Sequence, residues 1–220
     1  MRKFDTPTPI TTVVNVPAGR VRFIAADRPD TTIEVLPADA SKGRDVKAAE
    51  RTEVTYTDGV LRITVPAKTT HLGSSGSVEV TVQLPAGSHV QATAAATELR
   101  GVGRLGDVTF EGAYRQIKLD ETTSAHLTAT DADIEIGHLN GPAQITTARG
   151  HIRITEAAHG TLALRTRSGD ISVGAASGVS ASLDASTGHG RVTNALKNNG
   201  TTELDIHATT SHGDIAARSL

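Results

Sequence analysis

The chain has 220 residues, enough for one substantial hydrophobic core or two small ones. Hydrophobic residues make up 37% of it, which argues against wholesale disorder, yet its aromatic residues are only three Phe and two Tyr, with no Trp. Val, Ile, Leu, Ala and Thr must therefore fill the core, and such small side chains suit a narrow, regular interior. The net charge of −2, without a long run of one sign, argues against binding to nucleic acid or to anionic membranes.

The absence of cysteine excludes disulfides, thiolate metal sites and a cysteine nucleophile. The chain starts with the basic residues Arg2 and Lys3, but no apolar stretch long enough for the core of a signal peptide follows them. Nor does any run of about 18 apolar residues suggest a membrane helix. These features predict a cytoplasmic protein without a signal peptide or a membrane segment.

The first ninety residues contain three stretches in which apolar and polar side chains alternate. They cover residues 32–37, 54–65 and 77–87, and this period of two predicts β-strands. Within the second stretch, Asp58-Gly59 separates two alternating runs and predicts a hairpin turn.

Two segments between these strands predict loops. Residues 38–50 are predicted to contain one helical turn, and residues 66–77 are rich in Gly and Ser. No stretch of the chain shows sustained helical periodicity. The sequence therefore predicts a protein that is nearly all β.

From about residue 90 the chain repeats itself. Each repeat can be aligned on one apolar anchor, and successive anchors are 18, 17, 18, 19, 21 and 23 residues apart. Repeats of this length are typical of solenoids, in which each repeat forms one coil that docks on the next. The anchors are Leu99, Ile117, Ile134, Ile152, Ile171, Val192 and Ile215.

Fixed positions around the anchors indicate a strand, a tight turn and a second strand in each coil. Five residues before the anchor, the last four repeats carry a Thr, which is predicted to face inward with its hydroxyl bonded to the turn backbone. Two residues before the anchor they carry a Gly, which suits a turn with positive φ. The threonines are Thr147, Thr166, Thr187 and Thr210, and the glycines are Gly150, Gly169, Gly190 and Gly213.

The predicted fold is an all-β, single-chain β-solenoid of the right-handed parallel β-helix type, with an N-terminal β-strand or hairpin cap. Residues 1–89 are predicted to form an N-terminal β segment, and residues 90–220 the repeats of about 17–23 residues, in one continuous domain. The pattern is compatible both with an N-terminal segment that continues the solenoid and with a separate cap.

The polar residues directly before the anchors alternate in charge along the chain. If the coils stack in chain order, about 4.8 Å apart, these side chains are neighbours, and opposite charges stabilise the stack. Arg191 would then separate Asp170 from Asp214. The full series is Asp133, His151, Asp170, Arg191 and Asp214.

Tandem phrases of the type SGDISV (168–173), preceded by a β segment that ends in VEVTVQLPAG (78–87), resemble the DUF4097 family, whose members are also called "putative adhesins" or β-strand-repeat proteins. The likeness covers roughly residues 10–220 and rests on the Pro-Ala-Gly entry and the repeated Gly-x-Ile turns. The resemblance implies a β-solenoid-like fold without established catalysis. It also implies that many relatives carry a membrane anchor or an export signal.

His189 and His212 are the strongest candidates for metal ligands. Both stand three residues before an anchor, so on neighbouring coils they would lie about 5 Å apart, close to Asp214. A closed metal site needs more ligands and hydrogen bonds that orient them. The favoured interpretation is therefore a pair of exposed polar residues at turn tips, and no metal-binding residue is predicted.

Parallel β-helices include polysaccharide-cleaving enzymes, which need clustered carboxylates. Asp133, Asp170 and Asp214 share one position in the repeat, but the interleaved His151 and Arg191 are expected to neutralise them. There is no Gly-x-Ser-x-Gly motif, and the glycines of GVGRLG precede a strand rather than a helix, which excludes a dinucleotide site. The sequence predicts no catalytic residue, no cofactor-binding residue and no cofactor.

The sequence therefore predicts a non-enzymatic scaffold or interaction protein of the DUF4097 type, which binds another protein or itself through extended β faces. One alternative is self-assembly into an end-to-end dimer or a filament, because the coil that ends in GDIAARSL has no evident polar cap and would present an open strand edge. Adhesion to carbohydrate or cells at the surface is a second alternative. A polysaccharide-active enzyme is less favoured.

Overall fold

The computed structural model describes residues 1–66 and 76–220, with the backbone alone described at residues 113 and 114. In these residues, fifteen strands form one sheet that spirals around a single core, with one helix of nine residues beside it. No helix of the described chain has the length and apolar character of a membrane span. In chain order the elements are β1 (Arg2–Asp5), β2 (Thr11–Ala26), β3 (Asp30–Pro37), α1 (Gly43–Arg51), β4 (Glu53–Thr57), β5 (Val60–Thr64), β6 (Val78–Pro85), β7 (His89–Leu139), β8 (Ala143–Arg149), β9 (Ile152–Ala157), β10 (Gly160–Ser168), β11 (Ile171–Ala175), β12 (Ala181–His189), β13 (Val192–Ala195), β14 (Leu204–His212) and β15 (Ile215–Ser219).

The predicted anchors lie over one another in the core. Strands β7, β9 and β11 pair in parallel, with Ile134 opposite Ile152 and Ile152 opposite Ile171. Each of these side chains is buried. The 51 residues of β7 also carry the buried Leu99 and Ile117, so this strand follows the spiral through three repeats without a break. The β-solenoid predicted from the repeat is confirmed.

Threonine hydroxyls join each coil to its neighbour. Thr166 donates to the carbonyl oxygen of Gly150 at 3.1 Å, and Thr210 donates to that of Gly169 at 3.0 Å. Thr187 donates to the carbonyl oxygen of Gly213, the turn glycine of the coil next to it, at 2.9 Å. The inward threonine column predicted from the register is thus present, and its hydroxyls satisfy turn carbonyls inside the stack.

The order of the last two coils in space is not their order in the chain. Strand β14 pairs with β10 on one side and with β12 on the other. On the opposite wall, Ile215 of β15 lies between Ile171 and Val192. The prediction that the coils stack in chain order is therefore wrong for the last two, and the coil at the open end consists of β12 and β13.

Hydrophobic burial explains why β14 and β15 occupy the inner place. On one wall, the residues Leu204, Ile206 and Ala208 of β14 stand opposite the smaller set Ala181, Leu183 and Ala185 of β12. On the other wall, Asn194 of β13 stands opposite Ala217 of β15. Covering the more apolar coil on both sides removes more apolar surface from water.

The connections between the coils make this arrangement possible. Residues 158–159 suffice to join β9 to β10, which are strands of adjacent coils. Residues 176–180 lead from β11 to β12, and residues 196–203 lead from β13 back to β14. These longer connections reach across one additional coil, a step of about 4.8 Å along the solenoid axis.

The N-terminal strands close the other end of the sheet. Strand β2 pairs in parallel with β7 on one side and with β5 and β6 on the other. Antiparallel strands follow, with β4 on β5, β3 on β6 and β1 on β3. Asp58 and Gly59, with φ of 51° and 76°, form the predicted hairpin turn between β4 and β5. The predicted N-terminal strands and the hairpin turn are present, and β2 continues the parallel pairing of the coils.

The segment 38–50 was predicted to be a loop with one helical turn, and it contains most of helix α1. Ala48 of the helix is buried, and the buried Asp45 carboxylate accepts the N–H of Ser77 at 3.0 Å. The helix is longer than predicted because contact with the sheet, and not periodicity within so short a segment, stabilises it. Of the second predicted loop, residues 67–75 lie outside the described residues.

Replacement of a turn glycine is expected to disrupt the stack. Gly169 has φ of 149°, and a Cβ there would lie 2.0 Å from the carbonyl oxygen of Gly150. Gly169→Ala should lower the free energy of unfolding by roughly 3 kcal/mol or more, because backbone strain and a steric clash add.

Gly178→Ala is the matched control, because Gly178 has φ of 84° but nothing within 4 Å of the added Cβ. It should cost only about 1 kcal/mol, through the positive φ alone. Chemical unfolding of both variants measures the two losses. Equal losses would show that the close approach between coils has no energetic weight.

The cap contains an acid-sensitive ion cluster at Asp30. Its carboxylate accepts a hydrogen bond from Arg28 Nε at 2.8 Å and lies 3.0 Å from Lys3 Nζ. These two cations lower the pKa of Asp30 from 3.8 to about 2. Because the folded-state pKa is the lower one, this stabilisation is present above pH 3.8 and is lost as the pH falls through 2.

Asp30→Asn should therefore be less stable than the unmodified chain at pH 6, and the two should converge as the pH approaches 2. Urea unfolding at a series of pH values measures the difference. A gap that stays constant from pH 6 to pH 2 would contradict the role assigned to the ionised carboxylate.

Candidate functional site

The solenoid ends in a coil with one uncovered side. Within residues 1–66 and 76–220, β12 pairs only with β14, and β13 pairs only with β15. Val192 is 46% exposed, whereas its neighbour Ile215 is 1% exposed. Leu183 and Ala185, which point toward the core from β12, are only partly buried. We call residues 181–195 the end coil.

The backbone of β12 presents an open edge. Ala181 donates its N–H to the carbonyl of Lys197 at 3.0 Å, and its own carbonyl accepts from Asn198 Nδ2 at 3.1 Å. Alternate residues of a strand direct their backbone groups to the same side. The N–H and C=O groups of Leu183, Ala185 and Thr187 therefore face outward, where no strand of the described residues pairs with them. We call these groups the open edge.

A ladder of hydrogen bonds runs along the turns toward the end coil. Asp133 Oδ1 accepts the N–H of His151 at 2.8 Å, and His151 Nδ1 accepts that of Asp170 at 3.0 Å. Asp170 Oδ1 then accepts the N–H of Asp214, and Asp214 Oδ1 that of Arg191, both at 2.8 Å. The prediction that Arg191 separates Asp170 from Asp214 is wrong, because the coil order places the two aspartates side by side.

His189 and His212 are neighbours across β12 and β14, as their shared position predicted. Their rings stack with centroids 4.9 Å apart and planes 3° from parallel. Asp214, the third ligand considered, uses one carboxylate oxygen to accept the N–H of Arg191. In the part of the chain that the structure describes, no three His, Asp or Glu side chains form a group that could hold a metal ion.

A charged cleft lies between α1 and strands β2, β6 and β7. Arg20 bridges Glu79 at 3.1 Å and Glu98 at 3.5 Å across three strands. Arg115 also lines the cleft and has φ of 97°, at the repeat position where Gly150 stands in a later coil. A side chain in this region of φ costs free energy. The sequence analysis did not identify this cleft.

Comparison with known proteins agrees with this geometry. The family model described as Toastrack DUF4097 matches residues 74–218. The chain belongs to this family. The resemblance inferred from the Gly-x-Ile turns is thereby confirmed.

Three solved structures are similar to this chain. A "putative adhesin" from Bacteroides fragilis is 11% identical, with a TM-score of 0.50 over 98% of this chain and 95% of that one. A "putative cell adhesion protein" from Clostridium sporogenes is 12% identical, with a TM-score of 0.39 over 100% and 98%. A "putative adhesin" from Parabacteroides distasonis is 13% identical, with a TM-score of 0.41 over 98% and 95%. At these identities the Bacteroides likeness shows the fold alone, and no curated protein matches the chain.

The turn ladder of this Toastrack protein leads to a stability prediction at Asp170. Asp170→Asn keeps an oxygen that accepts the N–H of Asp214 and removes the charge beside a second aspartate. We expect it to leave stability unchanged or to raise it by a few tenths of a kcal/mol. Asp170→Ala removes the acceptor and should cost about 1 kcal/mol.

Thermal or urea unfolding of both variants separates the two effects. A loss in Asp170→Asn as large as that in Asp170→Ala would mean that the negative charge, and not the hydrogen bond, stabilises the turn. The ladder would then be an electrostatic device, as the sequence order first suggested.

Proposed function

We propose that this Toastrack protein is a non-enzymatic interaction protein that binds a protein partner at its end coil. The extended β faces, which the sequence predicted as docking surfaces, stay a prediction. The observation that carries the proposal is the open edge of Leu183, Ala185 and Thr187. Exposed strand edges add strands from other chains, because backbone hydrogen bonds supply affinity for any extended segment.

The side chains of the end coil set requirements for that segment. Leu183, Ala185 and Val192 face the core side and remain partly or largely uncovered. An added strand with small or branched apolar residues at alternate positions would cover them. Asp184 points outward with 84% of its side chain exposed, so an acidic residue directly opposite would be disfavoured.

The carboxylates that the sequence suggested for catalysis support a non-enzymatic role. Asp133, Asp170 and Asp214 each accept a backbone N–H from the next coil, so they are part of the scaffold that holds the turns together. The Bacteroides structure, which shares the fold, carries the name "putative adhesin".

The place where this binding occurs stays a prediction. The sequence favours the cytoplasm, whereas the name of the Bacteroides structure, "putative adhesin", favours a surface role. Fractionation of source cells with antibody detection decides between them. Recovery of the protein outside the cell membrane would favour adhesion and overturn the cytoplasmic location.

Two lysine variants test the binding proposal. Ala185→Lys places a charge on the core side of the open edge, which blocks strand addition. Ala163→Lys is the matched control, because Ala163 faces outward on β10, a strand paired on both sides. The immobilised unmodified chain and both variants are incubated with extract of the source cells, and the captured proteins are quantified by mass spectrometry.

At least one protein should be captured equally by the unmodified chain and by Ala163→Lys, and at least tenfold less by Ala185→Lys. A tenfold loss corresponds to about 1.4 kcal/mol of binding free energy. If no captured protein, this chain included, depends on Ala185, the end coil is not a binding surface and the proposal fails.

A further inference from the structure

This inference rests on the proposed function, because it names the partner at the same end coil. We propose that the partner is a second copy of this chain. The two copies meet head to head through antiparallel pairing of their β12 strands about a twofold axis at Ala185, which gives a closed dimer.

The number of free backbone groups fixes the register of this pairing. Ala181 is already bonded to the connection at Lys197 and Asn198, and the carbonyl of His189 accepts the N–H of Gly213. Between these limits, three residues direct their backbone N–H and C=O groups outward: Leu183, Ala185 and Thr187. The middle one is Ala185. Antiparallel pairing about it sets Leu183 opposite Thr187 of the second copy and Ala185 opposite its own counterpart, with two hydrogen bonds at each pair.

Charge is compatible with this register and not with the one centred on Asp184, while the register centred on Ser186 pairs only Ala185 with Thr187 and leaves Leu183 unpaired. Asp184, the one acidic residue of β12, comes to lie opposite Ser186 of the second copy. A register centred on Asp184 would satisfy the same alternation of backbone groups but would set two aspartates opposite each other, which is destabilising. His207 on β14 lies 3.5 Å from Asp184 and already offers it a partner within each copy.

The core side of the edge favours a self-contact as well. Leu183 and Ala185 sit over the buried Ile206 and Ala208 of β14, and no coil among the described residues covers their other side. In the paired arrangement, the same residues of the second copy supply that cover. The apolar ends of two cores are thereby joined into one, as in an isologous interface.

The opposite end of the solenoid explains why the contact closes at two copies. Strand β1 has four residues, including the exposed charged residues Arg2, Lys3 and Asp5, and β4 has five residues and begins with the exposed Glu53. Short, charged edge strands resist further pairing. Strand β12 has nine residues, no proline and no inward charge. Of the two ends that the described residues form, only the end coil presents an edge suited to strand pairing, and a head-to-head contact occupies it.

Solution mass tests the dimer directly. Light scattering after size exclusion is measured from about 1 µM to about 500 µM for the unmodified chain, Ala185→Lys and Ala163→Lys, with circular dichroism as a check of folding. The mass of the unmodified chain and of Ala163→Lys should rise from 22.8 kDa toward twice that value. Ala185→Lys should stay at 22.8 kDa throughout.

A cysteine pair tests the register and keeps the proposal open to refutation if Ala185→Lys fails to fold. The chain has no cysteine of its own. Residues 184 and 186 of the two copies form a non-hydrogen-bonded pair, whose Cα atoms lie about 4.5 Å apart, within disulfide range. An equimolar mixture of Asp184→Cys and Ser186→Cys should form the mixed disulfide in at least tenfold excess over either homodimer.

The outcomes separate this inference from the proposed function. An unmodified chain that stays monomeric at every concentration, or a dimer that Ala185→Lys leaves intact, overturns the self-pairing. Equal amounts of mixed and homodimeric disulfides overturn the register. If the chain is monomeric but another captured protein depends on Ala185, the proposed function holds and this inference fails.

Discussion

The close contact between the turn glycine of one coil and a carbonyl of its neighbour is the constraint on which the structure depends. At Gly169 and Gly213 a Cβ would lie about 2 Å from the next coil's carbonyl oxygen, so only glycine permits the observed spacing. At that spacing the threonine hydroxyls reach the turn carbonyls, and the turn side chains reach the next backbone N–H. Anchor packing follows from the same register.

The structure of a single coil could be predicted from the sequence because its signals are local. The alternation of buried and exposed positions, the turn glycine and the inward threonine all lie within one repeat, and so does the Asp58-Gly59 hairpin. The order of the coils was not predicted, because β12 and β14 carry the same alternation of inward and outward positions and differ only in the size of their inward apolar side chains. Two signals were available, the longer spacings of 21 and 23 residues and the polar Asn194 at a core-facing position.

The sequence predicted that the candidate site is an open strand edge, but it did not predict which coil carries that edge. An open strand edge follows from any solenoid without a cap, and the sequence assigned it to the coil that ends at Leu220. The structure assigns it to residues 181–195, since the coil order is decided by the amount of apolar surface each coil buries. The predicted alternation of charge along the turns was wrong for the same reason, because it assumed that the coils stack in chain order. Asp170 and Asp214 are neighbours, and backbone N–H groups, rather than an intervening Arg191, hold their carboxylates.

The inserted position of β14 and β15 has a consequence for how the protein is made. Translation delivers residues 181–195 before residues 204–219, so the sides of β10 and β11 that β14 and β15 cover in the folded chain are still open when the earlier segment emerges. The earlier segment can bind there first, and it must then detach to admit its successor. The two segments of the nascent chain therefore compete kinetically for the same strands. Residues 204–219, which are synthesised later and are more apolar, displace residues 181–195.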